Sequence, residues 1–333
     1  RTDKALYDGK LVLVARVGAN AGFLQIINEP CGITDNTLIL KPKGIDAFYL
    51  YYFLQHFNLN RLIFGSGQPL ITGGMLKKVK VSLGTISEQS KIVKFLSLLD
   101  ERIATQVRLI EDLKKLRCAI IENVFCSPNH NESALRFKGN TDPLSTYRME
   151  DFCSRITRKN KDNQCSLVLT IAAQYGLVDQ ESFFNKTVAS ENLAGYYLLH
   201  KGEFAYNRSY SAGYDWGAVK RLEKYPEGVL STLYICFKID ESAVDSDYLA
   251  YYFESTKWHK GLSDIAGEGA RNHGLLNVSV NDYFNTRHRF HCMREQKIIA
   301  SMLNVISQKE NDEIALYDNY QKQKQYLLSK MFI

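Results

Sequence analysis

The sequence predicts an α+β protein: two mixed α/β domains, each followed by a long helix, with the two helices pairing as an antiparallel coiled coil. Three observations predict it. One segment is written twice, both copies carry an apolar stripe of helical period, and ahead of each copy lie runs of β-branched and apolar residues. Residues 87–103 read SEQSKIVKFLSLLDERI and residues 294–310 read REQKIIASMLNVISQKE. Glu88-Gln89 returns as Glu295-Gln296, Ile92 as Ile299, Leu96 as Leu303 and Leu99 as Ile306. The copies also end alike, at Val124-Phe125 and at Met331-Phe332. A repeat is sought first because missing one misassigns the whole fold.

The helices come first because their signal is strongest. Alternating steps of four and three from Ile92 meet Leu96, Leu99, Ile103, Gln106, Ile110, Leu113, Arg117, Ile120 and Val124. Eight of these ten positions are apolar, a 3.5-residue period and hence a coiled-coil seam. The same walk from Ile299 meets Leu303, Ile306, Glu310, Glu313, Tyr317, Tyr320, Lys324, Leu327 and Met331, with a polar middle and apolar ends. Neither copy contains Gly or Pro, and Ser87 is the expected cap of the first. A helix of this length spans roughly 57 Å and needs a long partner for its stripe. The other copy supplies one.

The repeat extends upstream. Residues 10–18 (KLVLVARVG) face 202–210 (GEFAYNRSY), 37–42 (TLILKP) face 232–237 (TLYICF), and 49–54 (YLYYFL) face 248–253 (YLAYYF). Residues 65–72 (GSGQPLIT) face 267–274 (GEGARNHG). The runs at 11–17, 37–41, 79–83, 167–172 and 232–239 read as strands, and the Tyr-rich runs as short helices on a sheet. Residues 1–86 are therefore expected to form a first domain, 87–126 a central helix, 127–146 a polar linker, 147–293 a second domain and 294–333 a distal helix. The stretch from Tyr147 to about Glu191 has no counterpart ahead of Arg1, so the first domain is expected to lack its beginning.

Composition narrows the function. Hydrophobic residues make up 45% and charged residues 23% of the 333, an ordinary globular balance with no run approaching the roughly 20 apolar residues of a membrane span. Seven cysteines without a CxxC pair point to reduced thiols and a cytoplasmic setting. A net charge of +6 allows a polyanionic partner without requiring one. Catalytic signatures are missing. The Gly18–Gly22 stretch lacks dinucleotide-site spacing, and there is no phosphate-binding GxxxxGK[ST] run, amino-methyltransferase quartet or nuclease arrangement. His288, His291 and Cys292 cluster without a second ligand pair and read as a strand face rather than a metal site. The chain is expected not to catalyse.

The junction 65–72, followed by 79–83 and then Ser87-Glu-Gln-Ser-Lys-Ile-Val, together with 35–40 (DNTLIL) and 231–235 (STLYI), resembles the specificity subunit of type I restriction–modification systems. The resemblance covers essentially the whole chain. It implies two target-recognition domains, each reading half of a split sequence in double-stranded DNA, and paired helices that space them. It further implies docking of two methyltransferase subunits and, through them, restriction subunits. S-adenosylmethionine, ATP and Mg would sit on those partners, with no cofactor here. Two alternatives stay open: the recognition portion of a fused restriction–methyltransferase polypeptide, or a scaffold of two domains on a coiled coil that binds no DNA.

Residue chemistry ranks the DNA-facing candidates. Lys and Arg neutralise phosphates, while Arg, Asn, Gln and Ser read base edges. The stretch Asn207, Arg208, Ser209, Tyr210 and Tyr214, followed by Lys220 and Arg221, combines these types. Arg16 and Asn20 are its first-half counterparts. Ser66 and Gln68, Arg271 and Asn272, and the basic pair Arg158 and Lys159 complete the set. The expected seam residues are Ile92, Leu96, Leu99, Ile103, Ile110, Leu113, Ile120, Ile299, Leu303, Ile306, Leu327 and Met331.

Overall fold

The computed structural model describes residues 5–64, 68–140, 142–185, 192–209, 213–266 and 276–332. It divides into two compact units, 1–111 with 311–333 and 112–310. The division falls within both long helices, so each unit holds part of both. Because the helices run antiparallel, the start of one packs beside the end of the other.

Unit 1 opens with β1 (Leu11–Ala15), β2 (Leu24–Ile27) and β3 (Thr37–Leu40), an antiparallel sheet ordered β2-β1-β3. Val12 and Val14 alternate onto the face covered by α1 (Ala47–Phe57), as the two-residue period of a strand requires. A short α2 (Gly73–Leu76), capped by the Thr72 hydroxyl, precedes α3 (Ile86–Val124). The core joins Val12, Val14, Tyr52, Phe53 and Ile71 to Leu96 of α3 and to Leu328 and Phe332 of the last helix, α8 (Met293–Met331).

Unit 2 is larger. Its first half holds β4 (Ser145–Arg148), β5 (Cys153–Arg155), β6 (Leu169–Ala172), β7 (Gly176–Asp179), α4 (Gln180–Phe184), β8 (Tyr197–His200) and β9 (Phe204–Asn207). Then come β10 (Ala218–Arg221), β11 (Glu227–Leu230), β12 (Ile235–Ile239), α5 (Ser246–Tyr252), α6 (His259–Ile265), α7 (Val280–Asn285) and β13 (Arg287–Phe290). The main sheet, ordered β10-β9-β12-β5, repeats the β2-β1-β3 arrangement of unit 1 with one strand added. Pairs β11-β8, β6-β7 and β13-β4 complete it. Its core is aromatic: Phe125, Phe152, Phe204, Tyr206, Phe237, Tyr248, Tyr252, Trp258, Tyr283 and Phe290 are all buried.

Three sequence expectations change. Residues 79–83 form no strand, whereas their counterpart β13 is a strand because β4 pairs with it. The cap of α3 is Thr85, not Ser87: the Glu88 N–H donates to the Thr85 hydroxyl and the Thr85 N–H donates to Glu88 Oε2 at 2.7 Å, a reciprocal box that satisfies two helix-start donors. The linker 127–146 is held to the rest of unit 2. Arg136 reaches Glu295, and Arg289 donates to the carbonyls of His130 and Leu144. Finally, the Ser279 hydroxyl caps α7 as Thr72 caps α2, so the counterpart of residues 65–72 is 272–279 rather than 267–274.

Candidate functional site

Each unit attaches its Tyr-rich helix to a long helix by the same two polar bolts. Asp46 caps α1, and its own N–H donates to Gln89 Oε1 at 3.2 Å, while Gln89 Nε2 donates to Gly84 O at 3.0 Å. Asp245 caps α5, its N–H donates to Gln296 Oε1 at 2.8 Å, and Gln296 Nε2 donates to His291 O at 2.9 Å. Both glutamines are buried, where an unmatched amide would be costly, and each has both ends satisfied. The second bolt is a tyrosine. Tyr52 donates to Asp100 Oδ2 at 2.9 Å with Ser97 beside it, and Tyr251 donates to Asn304 Oδ1 at 2.9 Å with Ser307 beside it. Burial pushes both phenols above their usual range.

The twelve seam residues are all buried or half-buried in their own units. In unit 1, Ile92, Leu96, Leu99, Ile103 and Ile110 lie on α3 and Leu327 and Met331 on α8. In unit 2, Leu113 and Ile120 lie on α3 and Ile299, Leu303 and Ile306 on α8. Polar residues of the same stripe are buried in pairs. Gln106 donates both to the Glu313 carboxylate and to Glu313 O, and in unit 2 Arg117 bridges Glu310 and Glu254. A buried polar pair in a seam specifies register at some cost in stability.

The recognition candidates separate into free and occupied side chains. Arg16, Asn20 and Gln68 are exposed, and a Val17–Leu70 bridge brings their two segments together at one end of unit 1. Beside them is a cleft of about 400 Å³ lined by Asn20, Phe23, Gln55, Asn58 and Asn60 among others. Phe23 is 65% exposed there. The sequence reading missed Phe23, Gln55, Asn58 and Asn60, because isolated amides and one aromatic form no motif until the fold gathers them.

In unit 2 most candidates are already engaged. Arg208 donates to Val278 O and Leu233 O, and Arg221 to Ser246, Glu223 and Asp247. Arg158 pairs with Glu203, Lys159 donates to Gly195 O over the Tyr197 ring, and Asn207 accepts from the Ser209 N–H. Tyr214 is half-buried, and Lys220 is half-buried on β10. Ser66, Tyr210, Arg271 and Asn272 lie outside the described residues. His288 and His291 are buried. Tyr252 and Thr286 flank His288, and Tyr248 meets His291 Nδ1. Desolvation holds these imidazoles down, to about 3 and about 4 respectively. Among the described residues no group of three or more His, Cys, Asp or Glu side chains could hold a metal ion, and no helix is long and apolar enough to cross a membrane.

The same arrangement, a mixed α/β domain bolted to a long helix, is built twice. Residues 1–115 match the type I restriction modification DNA specificity domain. The specificity subunit of the type I restriction enzyme MjaVIII from Methanocaldococcus jannaschii is 30% identical over 119 residues, 34% of this chain. The aligned stretch spans only 28% of that relative's length. Among solved structures, the S subunit of a type I restriction–modification system from M. genitalium shares the fold at a TM-score of 0.59 and 16% identity, over 100% of this chain and 85% of that one. A structure described by complex assembly and conformational transition of the type I system matches at 0.54 and 13% identity, covering 100% and 84%. Residues 1–115 thus resemble a type I restriction modification DNA specificity domain, and the chain as a whole shares the fold of these solved structures.

Proposed function

We propose that this chain is the DNA-reading, non-catalytic subunit of a cytoplasmic type I restriction–modification enzyme, each unit recognising one half of a bipartite site in double-stranded DNA. The observation that carries this reading is the duplication of the whole domain-plus-helix unit with its bolts intact. A two-part site on a duplex calls for two readers held at a set spacing. In unit 1 the reading surface is Arg16, Asn20 and Gln68 together with the amide-lined cleft beside Phe23, since their side chains project into solvent. The occupied Arg208, Arg221 and Arg158 of unit 2 serve its loops and leave base reading to residues around them.

Methyltransferase subunits dock on the long helices in this reading. The helices expose apolar side chains at equivalent points of the repeat, Phe95 and Leu98 on α3 and Val305, beside the half-buried Met302, on α8. Leu98 is 56% and Val305 67% exposed, and two like patches suit two copies of one partner. S-adenosylmethionine, ATP and Mg belong to the partners.

The test is methylation-site mapping after co-production with type I methyltransferase subunits. A two-part motif is expected for the native chain. Combined Arg16→Ala, Asn20→Ala and Gln68→Ala changes should relax one half of it, by about 1–3 kcal/mol for each lost bidentate base contact. A phosphate contact would instead weaken all sequences alike and reduce the salt dependence. Methyl transfer by the purified chain alone, or a one-part motif, would overturn the reading.

A further inference from the structure

Gly22 of unit 1 and Gly217 of unit 2 hold the same place in the repeat. Both have positive φ, 84° and 75°, and each lies two residues ahead of a strand pair, Leu24 with Val14 and Val219 with Tyr206. The Asp46 and Asp245 caps align the helices that follow: Gln55, Asn58, Leu59 and Asn60 stand where unit 2 has Glu254, Lys257, Trp258 and His259. Unit 2 uses these positions structurally. Glu254 pairs with Arg117, Lys257 with Glu122 at 3.4 Å, and Trp258, 2% exposed, packs edge-on to Tyr206.

In unit 1 the same positions line the cleft of about 400 Å³, and among the described residues none of its lining side chains is charged. Asn58 accepts from the Asn60 N–H at 3.2 Å through Oδ1. Its Nδ2, like the side-chain amides of Asn20 and Asn60, has no hydrogen-bond partner among the described residues. The facing turn is tight, since the Ala21 and Phe23 N–H groups donate to Gly18 O and Asn20 O, and it presents Phe23 at 65% exposure. A Cβ at Gly22 would come within 3.3 Å of Asn60 Oδ1, so the glycine lets the two walls approach.

Phosphate calls for cations, and none lines this cleft. A base edge inside a duplex is met by side chains that protrude into a groove, whereas a concave site receives a base only after it leaves the stack. An aromatic face beside neutral amides, each a donor and an acceptor at once, matches such a base. The volume falls within the roughly 300–1,000 Å³ of small-molecule sites. We infer that the cleft of unit 1 takes one unstacked nucleobase of a DNA strand, its face on Phe23 and its pairing edge on Asn20, Asn58 and Asn60. The inference rests on the DNA reading proposed above and adds the form in which the base is read. The exposed Arg16 and Arg61 lie outside the lining and are left for flanking phosphates.

The probe is a set of tetranucleotides made of abasic sites with a single base, A, C, G or T, added to the full 333-residue chain and followed by fluorescence anisotropy. At least one of them should bind about tenfold or more tighter than the all-abasic strand, with a preference among the four. Phe23→Ala should bring that strand to the abasic level, Phe23→Tyr should retain the gain, and Asn60→Ala should narrow the preference. Phe23 and Asn60 are exposed, so these variants should melt with the native chain. Installing the unit 2 residues, Gln55→Glu with Asn58→Lys, should abolish the gain. Salt should change it little, because phosphate contacts are common to all the strands. Equal affinity of base-bearing and abasic strands, or a gain that survives Phe23→Ala, overturns the inference. Neither methyltransferase nor recognition site enters the measurement. A two-part methylation motif without a base-dependent gain would therefore strike the cleft and leave the DNA reading, and a gain without such a motif would do the reverse.

Discussion

The two domain–helix junctions share their bolts and differ in their cover. Gln89 and Gln296 make the same pair of hydrogen bonds, and Tyr52 and Tyr251 land on equivalent polar pairs of their helices. Yet residues 82–88 are exposed throughout, whereas of 289–295 only Arg294 is. The cover of the second junction comes from 127–148, whose counterpart in the repeat would lie ahead of Arg1. The duplicated sequence thus reproduces the attachment, while burial of the second junction depends on a segment ahead of its sheet.

The largest expected contrast lies between Phe290 and Leu83. Phe290→Ala should cost about 3–5 kcal/mol, because a fully packed ring leaves a cavity. Leu83→Ala should stay within about 0.5 kcal/mol. Denaturant unfolding of both variants checks this, and similar losses would erase the distinction between the junctions.

Next come the two glutamates. Arg136→Ala strands the Glu295 carboxylate at zero exposure, and breaking such a pair costs about 3–5 kcal/mol where no water reaches the charge, less here because Arg136 sits at the rim. Glu88→Ala removes only a solvent-exposed cap, and its melting temperature should move far less. The double change of Arg136→Ala with Glu295→Gln should recover part of the loss, separating stranded charge from lost packing.

Acid should also discriminate between the junctions. Burial holds His288 to about 3 and His291 to about 4, while free histidine titrates near 6.5. As pH falls from about 6.5 to about 4, the unfolded chain takes up protons that folded unit 2 refuses. Stability is therefore whole above that window and declines within it, by up to about 1.4 kcal/mol per pH unit for each histidine. The counterparts in unit 1, Val81 and Gly84, do not titrate. Unfolding at pH 7 and pH 5 should show a smaller loss for His288→Gln than for the native chain.

The smallest contrast should be between the bolts. Gln89→Ala and Gln296→Ala should cost alike, about 1–3 kcal/mol each, since each leaves one buried helix-start N–H and one carbonyl unmatched. A difference well beyond 1 kcal/mol, seen in paired thermal melts, would mean that the second junction leans on its glutamine more than the shared geometry implies.

Much of the fold was legible because it follows from local periodicity. The 3.5-residue stripe from Ile92 and its echo from Ile299 define the long helices, the Tyr-rich runs sit at α1 and α5, and alternating apolar runs lie at β1, β3 and β12. The strand expected at 79–83 did not form, because a strand needs a partner as well as a pattern. The candidate surface was less legible still. Arg208 and Arg221 read as DNA-facing from their chemistry, but a guanidinium is equally suited to gathering loop carbonyls and carboxylates, and both do that here.

By itself the sequence determined the duplication, the two long helices and the absence of catalytic signatures, since each is written in spacings between neighbours along the chain. Only the tertiary structure decided which arginines are spent, which glutamate is buried, and where Asn20, Phe23, Gln55, Asn58 and Asn60 converge. Those outcomes turn on contacts between residues far apart in the chain, such as Arg136 with Glu295 and Arg208 with Val278. The free energy of a polar side chain is set by what desolvates and pairs it, and residue type alone carries neither.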